Sequence, residues 1–180
     1  AIYTVKIEYQ DEAGNTAAFA TNSTFTYDIT APTIDITAPV NNRTVNTTQV
    51  SYTLSEAVAS GTVTFTRTGG SMDGGPHVQV LSEDELNTGA HNNITLTDNP
   101  TLVDGAIYSI ACDATDAAGN AATTDENTGI TYDVTTAAPT LATPSASSAD
   151  NATIDIDFTL PEAASSGTVK MTFTHTSGTA

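Results

Sequence analysis

Residues 1–30 read AIYTVKIEYQDEAGNTAAFATNSTFTYDIT, and residues 106–135 read AIYSIACDATDAAGNAATTDENTGITYDVT. Laid over each other, they place Tyr3 on Tyr108, Asp11 on Asp116, and Gly14 and Asn15 on Gly119 and Asn120. Tyr27 and Asp28 fall on Tyr132 and Asp133. Self-similarity at a fixed period marks repeated structural units. Here the period is about 105 residues. The match continues downstream, where VSYTLSE at 50–56 answers IDFTLPE at 156–162 and GTV at 61–63 answers GTV at 167–169. Small insertions near Thr136 and Met171 move the offset by one to three residues. The expected organisation is the end of one repeat (1–30), a complete repeat (31–135) and the start of a third (136–180). Two explanations for this framing stay open. The chain is a window on a longer array, or its C-terminal portion is completed by strands donated from a neighbouring chain.

Inside the complete repeat the hydrophobic period is two, which predicts strands. Val50, Tyr52 and Leu54 alternate with Ser51 and Thr53, and Val63 and Phe65 alternate with Thr62, Thr64 and Thr66. Val78 and Val80 suggest a short strand after the Gly-rich run 69–76, and Ile94 and Leu96 another. Tyr108, Ile110, Cys112 and Ala114 share one face of the next strand, and Ile130 and Tyr132 line the last. Residues 82–86 suit a helical turn. Many short strands between turn signals predict a β-sandwich.

The totals agree with an all-β reading. The 180 residues carry 38% apolar and only 14% charged residues, and a fifth of the chain is Thr. Such composition suits a pleated, half-solvated sheet over a thin core. The formal net charge is −17, with Lys6, Arg43, Arg67 and Lys170 as the fixed cations. That charge disfavours a nucleic-acid partner and an anionic membrane surface, both of which need cationic contacts. It opposes compaction, and divalent cations or a salty medium would relieve the repulsion. Cys112 is the one cysteine, expected as a small buried residue with no intrachain disulfide. No apolar run reaches the ~18 residues of a membrane-spanning helix, so no direct membrane insertion is expected. Signals for export would lie outside this stretch.

Residues 104–110, DGAIYSI, resemble the immunoglobulin pattern Asp-x-Ala-x-Tyr-x-Cys, with Ile110 at the cysteine position. On that resemblance Tyr108 is a tyrosine corner, its ring buried and its hydroxyl bonded to loop backbone. The strings DEAGN and DAAGN, followed by TYDIT or TYDVT and then APT, resemble the Ig-like repeats of large bacterial and archaeal surface proteins. That group includes giant adhesins and surface-layer proteins. The resemblance covers essentially the whole chain. It implies tandem immunoglobulin-like β-sandwich domains of about seven strands each, in an extracellular, cell-surface stalk, fibre or lattice that is often calcium-stabilised.

Calcium is the one ligand with a positive argument, since it takes six to eight oxygens from carboxylates, amides and carbonyls. On the immunoglobulin-like layout, Asp28 closes the preceding repeat where Glu56 and the turn carrying Asp113, Asp116 and Asn120 converge. Asp133 and Glu162 would begin the equivalent site at the next junction, and Glu8, Asp11 and Asn15 belong to the one before. Asp-x-Ala-Gly-Asn is equally good hairpin chemistry, with Asp capping the turn and Gly supplying a positive φ. Both readings stand at this stage. The Pro-containing linkers at 30–32 and 137–139 limit flexibility in either case.

Catalytic signals are missing. His77, His91 and His175 have no zinc-ligand spacing, and there is no nucleophile elbow or phosphate loop. The run GGSMDGG at 69–75 lacks the lysine and following helix of a phosphate site and reads as a hairpin connection. Sequons at Asn22, Asn42, Asn46, Asn93 and Asn151 permit glycosylation at a cell surface. Three functions follow: a structural repeat contacting neighbouring repeats or copies, an adhesin module recognising a surface glycan or protein receptor through residues 69–98, or an accessory module of a secreted hydrolase. The chain itself is expected not to be an enzyme.

Overall fold

The computed structural model describes residues 1–149 and 153–178. The sequon at Asn151 lies outside the described residues. Twelve strands are assigned among the described residues: β1 (Ile2–Ile7), β2 (Ala20–Thr26), β3 (Ile34–Ala38), β4 (Thr44–Val45), β5 (Val50–Leu54), β6 (Ser60–Gly70), β7 (His77–Val80), β8 (Gly89–Ile94), β9 (Ala106–Thr115), β10 (Asp125–Tyr132), β11 (Thr140–Thr143) and β12 (Asp157–Thr159). One 3-10 turn spans Glu83–Leu86. The fold is all-β, as the alternation predicts. The chain divides into two compact units, Ala1–Val134 and Thr135–Ala180.

The first unit contains a β-sandwich. One sheet has the order β4-β10-β9-β6-β7 and the other β3-β5-β8. Neighbours are antiparallel except β4 and β10, which run parallel. Successive strand residues point to opposite faces, so Ile34 and Ile36, Val50, Tyr52 and Leu54 of one sheet meet Val63, Phe65, Tyr108, Ile110, Cys112, Ala114 and Ile130 of the other in one core. The outer face of β6 carries Thr62 and Thr64, whose branched side chains suit a pleated surface that meets water. Gly61 is required by a close approach: a Cβ there would meet Leu81 Cδ1 at 2.8 Å and the Asp113 carbonyl at 2.9 Å.

Two strand expectations need correction in detail. β7 exists, but Val78 and Val80 face solvent and Gln79 is the buried residue. As the end of its sheet, β7 has one neighbouring strand, and its apolar side chains fall on the outer face. The strand expected around Ile94 and Leu96 is Gly89–Ile94, ending earlier; Leu96 is buried just beyond it. The turn at residues 83–86 is closed by Glu85, whose carboxylate accepts the Ser82 N–H at 2.8 Å and the Thr97 N–H at 2.6 Å. Tyr52, fully buried, donates its hydroxyl to the Glu85 carbonyl at 2.7 Å.

Tyr108 takes the expected corner position. Its ring is buried and its hydroxyl accepts the Val103 N–H at 2.9 Å. The same hydroxyl donates to Asp73 Oδ2, which His77 Nε2 also reaches at 2.7 Å. The Gly-rich connection is thus pinned to the core through Asp73.

Before the sandwich, β1 and β2 form a hairpin whose large apolar side chains are exposed. Its register is that of β9 and β10. Ile2 pairs with Thr26, Tyr3 with Phe25, Val5 with Asn22, Lys6 with Thr21 and Ile7 with Ala20. The counterparts are Ile107 with Thr131, Tyr108 with Ile130, Ile110 with Asn127, Ala111 with Glu126 and Cys112 with Asp125. The register break falls at the same place in both hairpins. In the second unit β11 and β12 pair Thr140 with Thr159, Leu141 with Phe158 and Thr143 with Asp157. These answer Asp35 with Thr53, Ile36 with Tyr52 and Ala38 with Ser51 between β3 and β5.

Candidate functional site

The two Asp-x-Ala-Gly-Asn segments close their hairpins by the same bonds. In the first, Asp11 Oδ1 accepts the Asn15 N–H and Oδ2 the Asn15 amide, each at 2.8 Å. In the second, Asp116 accepts the Asn120 N–H and the Asn120 amide at the same 2.8 Å, and the Ala118 N–H as well. Gly14 and Gly119 sit at φ of 87° and 91°, a region that L residues rarely enter. These contacts hold both carboxyls below the usual carboxylate range, with the Asn side-chain amide as the largest cause in each. The turn chemistry is therefore real, and it leaves Asp116 ionised.

Around the second turn the chain adds two more carboxylates. Asp28, just after β2, Glu56, in the β5–β6 connection, and Asp116 bring one oxygen each to within 4.8 Å of one another. They border a cleft of about 280 Å3 whose remaining walls include Thr26, Ala57 and Ala117. Asp116 is buried, whereas Asp28 and Glu56 are half-buried. Asp28 Oδ1 accepts the Thr30 N–H at 3.0 Å. No lysine or arginine pairs with the triad among the described residues. Mutual repulsion at this separation is between roughly 1 kcal/mol in a water-like medium and roughly 3.5 kcal/mol per pair at a protein surface. An oxygen-only set of three carboxylates fits a hard divalent cation, with water completing six to eight ligands.

The other expected ligands are placed as follows. Asn120 adjoins the triad but contributes its amide nitrogen, donating to Asp116 Oδ2 and, at 3.2 Å, to the Asp28 carbonyl. It ties the end of the first hairpin to the second turn. Asp113 is not brought to the triad. It alternates with the buried Cys112 and Ala114 on β9, so its side chain faces outward, where it accepts the Thr124 hydroxyl. Asp133 follows β10, its N–H donating to the Val45 carbonyl at 2.9 Å. Glu162 is exposed in the second unit. Glu8 pairs with Lys6 at 2.6 Å.

Comparison with protein-family models, curated proteins and solved structures returns no match.

Three polar residues matter more than the sequence reading indicated. Asp73, inside the Gly-rich run, is held down to about 2, first by the Tyr108 hydroxyl and then by His77. Burial and that same carboxylate push the Tyr108 hydroxyl up to about 12. Asp125 Oδ2 accepts the Ile36 N–H at 2.6 Å, and Asn127 donates to the Ile36 and Pro39 carbonyls, so β10 grips the first strand of the opposite sheet. In the sequence Asp125 and Asn127 show only as polar residues of a strand, and Asp73 only as a carboxylate within the Gly-rich run. The described sequon residues Asn22, Asn42, Asn46 and Asn93 are all exposed.

Proposed function

We propose that this chain is a structural element of an extracellular surface protein, built from tandem immunoglobulin-like sandwiches that hold distance and bear tension. The observation that carries the reading is the hairpin register repeated pair for pair at Ile2–Thr26 and Ile107–Thr131. One supersecondary unit used twice, 105 positions apart, is what an array of like domains predicts. The strand order, with a first strand split between the two sheets, supports the immunoglobulin-like assignment.

A mechanical role also has local support. β4 comes early and β10 last in the sequence of the sandwich, and the two pair in parallel. The Asn42 N–H donates to the Thr128 carbonyl, Thr131 to Arg43 and Asp133 to Val45, each at 2.9 Å. Tension along the chain loads these bonds together in shear instead of opening them in turn. The triad of Asp28, Glu56 and Asp116 we assign to a divalent cation, calcium by its all-oxygen donors, that would stiffen the entry to the sandwich. Neighbouring repeats or copies are the partners in this reading, and the medium is outside the cell.

Single-molecule pulling tests it. Residues 31–134 should unfold in one event, lengthening the chain by about 35 nm at ~3.5 Å per residue, with a higher force when calcium is present. Unfolding in several small steps at low force would overturn the load-bearing role.

A further inference from the structure

The end of the sandwich where β10 finishes carries the β4–β5 and β8–β9 connections, which border a cleft of about 430 Å3. We propose that this cleft binds a neutral sugar, one or two residues of a glycan. The site lies within the first unit and needs the sandwich alone, so it stands or falls apart from the array.

The floor of the cleft is apolar. Tyr132 and Leu102 line it and pack against the core, each half-buried. The rim is polar. Gln49 and Asn99 supply amides, and Thr48 and Thr101 supply hydroxyls. The Thr48 hydroxyl joins the two connections by donating to Asn99 Oδ1 at 2.6 Å. That bond orients the Asn99 amide and leaves its two N–H groups, with the lone pairs of the Thr48 oxygen, for a ligand. Pro100, buried, fixes the backbone beside Asn99.

The chemistry of the lining selects the ligand. No charged side chain is among the described residues that line the cleft. In a chain of net charge −17, it therefore has no carboxylates to hold a cation and no cation to hold an acid. An apolar ligand would strip water from the amides and hydroxyls without replacing its hydrogen bonds, which is costly. An extended peptide binds best along a free strand edge, where it adds main-chain bonds, and here the walls are two loops. A sugar matches what is present. Each of its hydroxyls both donates and accepts, as the Asn, Gln and Thr side chains do, and its C–H face covers a half-buried Tyr ring. The volume falls within the roughly 300–1,000 Å3 typical of small-ligand sites, and it suits one or two sugar rings. The chain should hold one such site. Residues 1–30 answer 106–135 and so lack both connections, and in the third repeat Ile154 and Asp155 stand where Thr48 and Gln49 do.

Amide NMR of the full chain, titrated with glucose, galactose, mannose, N-acetylglucosamine, maltose and lactose, tests this. At least one sugar should shift the amides of Gln49, Asn99, Thr101 and Tyr132, saturating as a single site with Kd on the order of 1–10 mM. Gln49→Ala should weaken that binding about threefold to tenfold, by removing one amide. Tyr132→Leu should weaken it about tenfold, and Tyr132→Phe, which keeps the ring, by no more than about twofold. Gln49 is exposed, so its variant keeps the test sound whatever Tyr132→Leu does to the core. No shift at these amides with any of the sugars at ~100 mM overturns the proposal. So does unchanged affinity in both Gln49→Ala and Tyr132→Leu. Equal binding of glucuronic acid, which the anionic chain should repel, also overturns it, as does equal binding of tri-alanine, which would make the cleft a peptide site. None of these outcomes bears on the repeat reading.

Discussion

Removing one hydroxyl at two equivalent positions gives the sharpest test of the packing. Tyr108→Phe leaves the buried ring in place but deletes an oxygen that accepts the Val103 N–H and donates to Asp73. A buried donor left without a partner costs about 1–3 kcal/mol, and a bond to a charged group contributes about 1.5–3. These overlap, since water reaches the half-buried Val103, and a loss of about 2 kcal/mol is expected. For a sandwich of ~100 residues, with ~0.2 kcal/mol/K of unfolding entropy, that lowers Tm by ~10 °C. Tyr3→Phe makes the same change on an exposed ring and should stay within about 0.5 kcal/mol. The pair also has a pH signature. Asp73 is lowered from 3.8 to about 2, with the Tyr108 bond as the largest cause. A carboxyl lowered by folding contributes stability above its unfolded value, and that contribution fades as pH falls from ~4 through ~2. The Tm gap between wild type and Tyr108→Phe should therefore be full at pH 6 and narrow below pH ~4. Thermal melts by circular dichroism measure both effects. Equal losses at the two tyrosines, or a gap that ignores pH, would refute the reasoning.

Phe65→Ala should cost about 3–5 kcal/mol, read from the guanidinium midpoint, because the ring sits in the centre of the one core. Gly61→Ala should destabilise by about 1–3 kcal/mol, since its Cβ meets Leu81 and the Asp113 backbone. Cys112, whose thiol burial pushes up to about 12, should resist alkylation at pH 8 until the sandwich unfolds, which mass spectrometry over a denaturant series would display. Millimolar calcium should raise Tm by several degrees and a chelator reverse it. Glu56→Gln should abolish that response while leaving the metal-free Tm equal or slightly higher, because one repelling charge is gone.

What the sequence disclosed and what it concealed divide along physical lines. Alternation disclosed β5, β6 and β9, because each sets its apolar side chains on the core face, and period two stays visible even where Ser51 and Ser109 on the other face are buried as well. It misled at β7, where Val78 and Val80 are apolar yet outward and Gln79 is inward; an end strand tolerates that inversion. The site was half legible. The expected meeting of loops points to Asp28, Glu56 and Asp116, and their carboxylates converge. Asp113 is near Asp116 in sequence, but strand parity sends it to the outward face, away from the triad. Asp73 was hidden because its role depends on a fold-back of the Gly-rich loop onto Tyr108, a contact between residues 35 positions apart that no local pattern encodes.

The Asn of each turn argues for what a cation would do at the triad. Asn15 bonds Asp11 within its own turn. Asn120 makes the same bonds to Asp116 and one more, to the Asp28 carbonyl, so it reaches the end of the preceding hairpin. That bond is uncharged, and it positions Asp28 beside Asp116 whether or not a metal is present. Three carboxylates gathered by neutral contacts oppose one another, in a chain whose net charge is already −17. A divalent ion would reverse the sign of the local interaction without moving the backbone. Its effect would then be on the stiffness of the entry to the sandwich, and its affinity would depend on ionic strength through the half-exposed Asp28 and Glu56. Asn120→Ala separates the two contributions. It should weaken calcium binding by loosening Asp28, while Asn15→Ala, which bonds nothing beyond its own turn, should leave calcium binding unchanged in isothermal titration. Equal weakening by both would mean that the turn alone, and not its link to the preceding hairpin, organises the carboxylates.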